Sequence, residues 1–135
     1  MKSIFLALAL ALIASGVHAT EESDDNPCDK VENEIQTLEC SAYSRTAAEQ
    51  LLSDNYQSLT ERMQTLYGNN KAQLTDITAK IKVAQQQWLK TRDADCAVEA
   101  FPATSGSKAF TIAQNDCVAR ISDERSEFLE SIGQE

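Results

Sequence analysis

Histidine, proline and glycine are scarce in this chain, which has one, two and four of them in 135 residues. The lone histidine, His18, falls in a segment that the sequence marks for removal. The remainder has no Ser-His or Cys-His nucleophile and no imidazole for a metal. So few turn-forming residues argue against a β-sandwich, which needs turn signals about every ten residues. Basic residues are outnumbered, 12 Lys and Arg against 21 Asp and Glu, for a formal charge of −9. Such a charge repels nucleic acid and anionic lipid surfaces and favours a basic partner. No C-x-x-C pair occurs, so the usual zinc spacing is missing. Neither a metal site nor a cofactor is expected. Past residue 19 no stretch is apolar enough for a membrane helix, and no membrane insertion is expected.

The start of the chain does carry an apolar run. Met1-Lys2 is a short basic opening, Ile4 to Ala14 is almost unbroken in its apolarity, and Val17-His18-Ala19 reads as a cleavage site. This pattern predicts a secretory signal peptide over residues 1–19, cut after Ala19. Its apolar core is shorter than the roughly 20 residues that span a bilayer. No cysteine follows the cut, so no bacterial lipid anchor is expected. Cleavage leaves 116 residues, with 11 basic against 21 acidic. That is enough for one modest domain of a periplasmic or secreted protein. Residues 20–27 read as a disordered acidic leader and 28–132 as a single helical domain.

All four cysteines, Cys28, Cys40, Cys96 and Cys117, lie beyond the cut. An even count after a signal peptide points to two disulfides, with three pairings open. The helical pattern narrows the choice. Asn33 looks like an N-cap with Gln36 completing a capping box. Apolar residues then recur at Ile35, Leu38, Ala42, Leu52, Tyr56, Leu59, Met63 and Leu66. The steps are threes and fours except between Ala42 and Leu52, where Arg45 and Glu49 fill the face and a bend is expected. Gly68-Asn69-Asn70 ends this helix with residues that tolerate the left-handed conformation. A second helix, Lys71 to Glu99, carries Leu74, Ile77, Ile81, Ala84 and Trp88, and Phe101-Pro102 stops it. A third shows Phe110, Ala113, Cys117, Ile121, Phe128 and Ile132 along one side. The fold expected is all-α, a three-helix antiparallel bundle with a long first helix. A hairpin across the 100–107 loop brings Cys96 to Cys117. Cys28 can fold back onto Cys40 if the chain breaks at the Asn33 cap, since a continuous helix would hold them about 18 Å apart.

The most distinctive stretch is Ala84-Gln85-Gln86-Gln87-Trp88-Leu89-Lys90-Thr91-Arg92-Asp93-Ala94-Asp95-Cys96. It resembles the A-Q-x-x-W-L-x-Y-R-D-x-x-C segment of the LprI-like lysozyme-inhibitor family, with Thr91 where a tyrosine is usual. Ala48 to Tyr56 resembles the A-D-x-x-L-N-x-x-Y segment. Leu52 and Tyr56 match, Glu49 replaces aspartate and Ser53 replaces asparagine. Cys117, Ser122, Arg125 and Leu129 fit a looser C-x4-[ST]-x2-R-x3-L pattern. The resemblance runs from about Cys28 to Leu129. It implies a small exported helical domain that binds and inhibits lysozyme or a related peptidoglycan-cleaving enzyme. The alternative is a non-inhibitory helical protein-binding module of the cell envelope.

The motif residues Glu49, Leu52, Tyr56, Gln85, Trp88, Arg92, Asp93 and Arg125 are read first as structural. Trp88 and Tyr56 lie on apolar stripes and should pack in the core. Arg92 and Asp93 are neighbours on a helix and diverge, so no pair is expected between them. Arg92 should instead reach Glu49 on the first helix, in a partly buried ion pair that sets helix register. No catalytic residue is expected. Asp93 and Asp95, spaced i,i+2, diverge, and a bundle this small leaves little room for the cleft a two-carboxylate glycosidase needs. The candidate partner-binding element is the loop with Phe101, Pro102, Thr104 and Ser105, braced at its base by a Cys96–Cys117 bridge. Lysozymes are typically basic, so opposite charge would speed encounter with this acidic chain.

Overall fold

The computed structural model describes residues 26–134. The expected signal peptide, its cut after Ala19 and residues 20–25 of the expected leader lie outside the described residues. Three helices follow one another: α1 (Glu34–Tyr67), α2 (Lys71–Glu99) and α3 (Lys108–Ser131). Consecutive helices run antiparallel, so α1 and α3 lie side by side in the same direction. Lys108 meets Glu34 at one end of that pair, 3.6 Å apart, and Arg62 meets the Ile132 carbonyl at the other. Both disulfides form as the helical pattern suggested, Cys28–Cys40 and Cys96–Cys117.

Local signals explain where the helices begin. The Asn33 side chain accepts from the N–H groups of Ile35 and Gln36, satisfying two orphan donors of α1. Gln36 reaches back one residue beyond the expected box, to the Glu32 N–H. Between α1 and α2 the structure corrects the expectation of a left-handed stop. Gly68 is right-handed helical, and Asn70 serves as the N-cap of α2 through the Gln73 N–H. Two helices joined this tightly share one short linker for both tasks. At the end of α3, Gly133 does take a positive φ, and a Cβ there would press on Met63 and Leu66. Arg62 donates to the carbonyls of Leu129, Glu130 and Ile132, which α3 leaves without helical partners.

The core has two apolar parts. Leu52, Leu59, Met63, Ile81 and Leu129 form the larger, with Tyr56, Leu74, Ile77, Trp88 and Ile132 packed against it. Cys96, Cys117 and Val118 form the smaller, near the disulfide of the α2–α3 hairpin. Each fully buried Leu contributes about 1.5–3 kcal/mol. The helix faces differ in detail from the apolar stripes read in the sequence. α1 runs unbroken through the 42–52 gap, with Ala48 buried inside it and Ser41 just before it. Ile35, Ala42, Leu66 and Ala84 are exposed. On α3 the inward face is centred on Val118, Ser122, Ser126 and Leu129, and Phe128 is turned out at 52 % exposure. Small side chains win this position because they let α3 lie close against α1. Asn115 donates to the Ser41 hydroxyl and Asn55 to the Ser126 carbonyl across that contact.

Candidate functional site

A polar waist separates the two apolar parts of the core. At its centre Arg92 is only 6 % exposed. Its Nη1 lies 3.1 Å from Glu49 Oε1 and donates to Ser122 Oγ at 3.2 Å. Its Nε and Nη2 donate to Asp93 Oδ1 at 2.9 and 2.7 Å. The contact with Glu49 ties α2 to α1, and the contact with Ser122 ties α2 to α3. The pair with Asp93 corrects the expectation that these neighbours stay apart. Directions at Cβ do diverge on a helix, but the long arginine stem lets the guanidinium fold back over the adjacent carboxylate. Glu49 also receives Arg45 Nε at 3.3 Å on its other oxygen, and Arg45 continues to Asn115. A buried cation satisfied on three sides fixes how the helices slide relative to one another.

Trp88 is the second hub. It is partly buried against the larger core, with the Arg92 guanidinium 5.5 Å from its ring and the Arg125 guanidinium at 5.4 Å. Arg125 also lies 4.9 Å from the Phe128 ring and donates to Gln85 Oε1 at 3.1 Å. Burial pushes the Arg125 guanidinium down from its ordinary value. Glu49, Leu52, Ser53, Tyr56, Gln85, Leu89 and Arg92 line a shallow α1–α2 cleft of about 260 Å³. The motif residues of two distant segments therefore meet on one side of α2, whereas Arg125 sits on the other.

The α2–α3 loop lies elsewhere, about two turns beyond Arg92 along α2. Phe101 is 80 % exposed and Val98, unremarked in the sequence, is 73 % exposed beside it. Pro102, Thr104 and Ser105 are exposed as well. The loop backbone is nonetheless closed on itself. Phe101 N–H donates to the Val98 carbonyl, Ala103 N–H to that of Ala100, and Ser107 N–H to that of Thr104. Beneath it the Cys96–Cys117 bridge is fully buried, as is Ala100. Just before the loop Glu99 pairs with Arg120 at 2.7 Å, and on α3 burial pushes the Asp116 carboxyl up from its ordinary value. The reading from sequence placed Arg45 in the gap of the α1 stripe but missed its bond to Asn115, and missed Ser41 beside it.

These features define a small all-α domain stapled by two disulfides, the construction suited to an oxidising compartment. The family described as lysozyme inhibitor LprI matches residues 28–129, and the chain belongs to that family. The family is one of inhibitors and not of catalysts. The chain is also similar to a crystal structure of a DUF1311 family protein from Pseudomonas putida KT2440. That similarity has 39% identity and a TM-score of 0.69, over 78% of this chain and 99% of the other. No curated protein gives a significant match. Among the described residues no helix is long and apolar enough to cross a membrane.

Proposed function

We propose that this chain is an exported acidic protein, cut after Ala19, that binds and inhibits lysozyme or a related peptidoglycan-cleaving enzyme. The observation that carries this reading is the family match over residues 28–129. The excess of 21 acidic over 12 basic residues supports a basic partner. The tip supplies the contact element. Phe101 and Val98 offer exposed apolar surface on a loop whose backbone bonds and buried disulfide hold it in one shape. Insertion into an enzyme cleft then orders little that was not already ordered. The waist residues hold the helices that carry the tip and do not themselves touch the partner.

The test is a lysozyme activity titration with the oxidised protein. Inhibition is expected at micromolar protein or below, and raising salt from 0.1 to 1 M should slow association as the Debye length falls from about 10 to about 3 Å. No inhibition of any lysozyme would leave a helical protein-binding module and discard the inhibitor. Intact mass of the exported protein should begin at Thr20, and a retained Met1 would remove the export claim.

A further inference from the structure

Arg125 stands apart from the other arginines of this chain. Arg45, Arg92 and Arg120 each meet at least one carboxylate. Arg62 gives its protons to three backbone carbonyls. Among the described residues Arg125 has no carboxylate within ion-pair distance, although the chain holds 21 acidic residues. Its one hydrogen-bond acceptor is the Gln85 amide oxygen, at 3.1 Å from Nε. A guanidinium has five N–H donors, so both Nη groups remain available. The group is also held in place, between the Trp88 ring at 5.4 Å and the Phe128 ring at 4.9 Å. Partial burial of a cation without a counter-charge costs stability, and an incoming anion would relieve that cost.

Arg125 borders an α2–α3 groove of about 180 Å³, on the side of α2 away from the Glu49 cleft. Its lining is apolar at Ile81, Leu129, Ile132 and the outward-turned Phe128, and Lys80 lines it as well. Lys80 is already paired with Asp76 on its own helix, so among the described residues Arg125 carries the groove's unpaired charge. We propose that this groove is a receptor for the free C-terminal carboxylate of a peptide whose last side chain is apolar. The carboxylate meets the fixed guanidinium edge-on, in the two-pronged geometry that arginine offers and lysine does not. The side chain lies on the apolar lining. Arg125 stacks directly on Phe128, so charge and apolar contact must adjoin in the ligand. A C-terminal residue carries both on one carbon. This receptor is independent of the inhibitor reading, whose contact element is the tip.

Trp88 is the chain's single tryptophan and stacks on Arg125, so its fluorescence reports the groove. The oxidised protein is titrated with acetyl-Ala-Ala-Leu bearing a free carboxylate and with the same peptide amidated. The free acid should give a saturable change with a dissociation constant of about a millimolar, and the amide should bind about tenfold more weakly or worse. Arg125→Gln should abolish the difference between the two peptides while helical circular dichroism is unchanged. Lys80→Met should weaken binding of the free acid by no more than about threefold, as expected of an exposed charge already paired with Asp76. Equal binding of acid and amide would overturn the proposal, as would the absence of any saturable response. Displacement of the peptide by an equal concentration of inorganic phosphate would overturn it too, by making the site a general anion sink. Should Arg125→Gln fail to fold, the acid-against-amide comparison on the unaltered chain still decides.

Discussion

The waist and the tip are two turns of α2 apart and are built on opposite terms. In the waist, Arg92 is almost wholly buried and bonded to Glu49, Asp93 and Ser122 from three directions. At the tip, Phe101 is almost wholly exposed and the order lies in the backbone and the disulfide beneath. The most chemically distinctive residues of the chain are therefore engaged with one another, and the exposed apolar surface of the tip is made of ordinary ones. A run such as Trp88 to Cys96 draws attention because unusual side chains fall at fixed spacing. Here that spacing is what holding three helices in register demands. The proposed recognition at the tip asks only for an apolar knob on a stiff base, which Phe101-Pro102 before a run of small residues already suggested in the sequence.

Breaking the staple should have the largest effect and should separate the two regions most plainly. Replacing Cys96 and Cys117 by serine removes a link that closes a loop of 21 residues in sequence, and about 3 kcal/mol of stability should go with it. Urea unfolding measures the loss, and affinity for the partner enzyme should drop further than the helix content does. A waist cut comes next. Arg92→Ala leaves Glu49, Asp93 and Ser122 without their shared donor, and about 2–3 kcal/mol should be lost, discounted because both acids reach solvent. Glu49→Ala should cost less than that but more than the roughly 0.5 kcal/mol of an ordinary surface change. Both variants should keep binding in the molecules that remain folded; full stability with lost binding would instead make the waist the recognition site.

The tip should behave in reverse. Phe101→Ala should leave stability within about 0.5 kcal/mol and raise the dissociation rate from the partner at least about tenfold, since buried aromatic anchors dominate interface energy. Unchanged inhibition by this variant would keep the function and discard the loop. The smallest effect sits at Asp116. Burial raises its carboxyl above the ordinary value, so the folded state favours the neutral form and ionisation opposes folding. The contribution is present below the unfolded-state value and is lost as pH rises through the folded one. Asp116→Asn should accordingly raise the melting temperature slightly at pH 7 and not at pH 3, as calorimetry at the two pH values would show.

Several elements were legible early because their causes are local. The Asn33 cap, the α2 bounds at Lys71 and Glu99, and both disulfides follow from spacing, capping chemistry and the reach of a short hairpin. The Arg92–Glu49 contact was legible through the gap in the apolar stripe of α1. Less was legible on α3, where Phe128 and Leu129 compete for the inward direction. The larger side chain would win on hydrophobicity alone, yet Leu129 is buried and Phe128 is not. Close packing against α1 selects the face carrying Ser122 and Ser126, and Phe128 falls outside it. The Arg92–Asp93 pair was missed because a rule about helical directions holds for Cβ atoms and not for the ends of long side chains.

Sequence alone determined the class of this protein: three helices, their order, the start of the first, both bounds of the second and the two covalent links between neighbouring segments. Helix periodicity, caps and short-loop closure act over a few residues, so they are written where they act. Only the tertiary structure decided which stripe of α3 faces inward, that Arg92 is satisfied from three sides, and that Arg125 has free donors among the described residues beside an apolar groove. Those outcomes depend on competition among side chains brought from 30 to 70 residues away. Packing density and the desolvation of charge settle that competition, and neither is a property of any one segment.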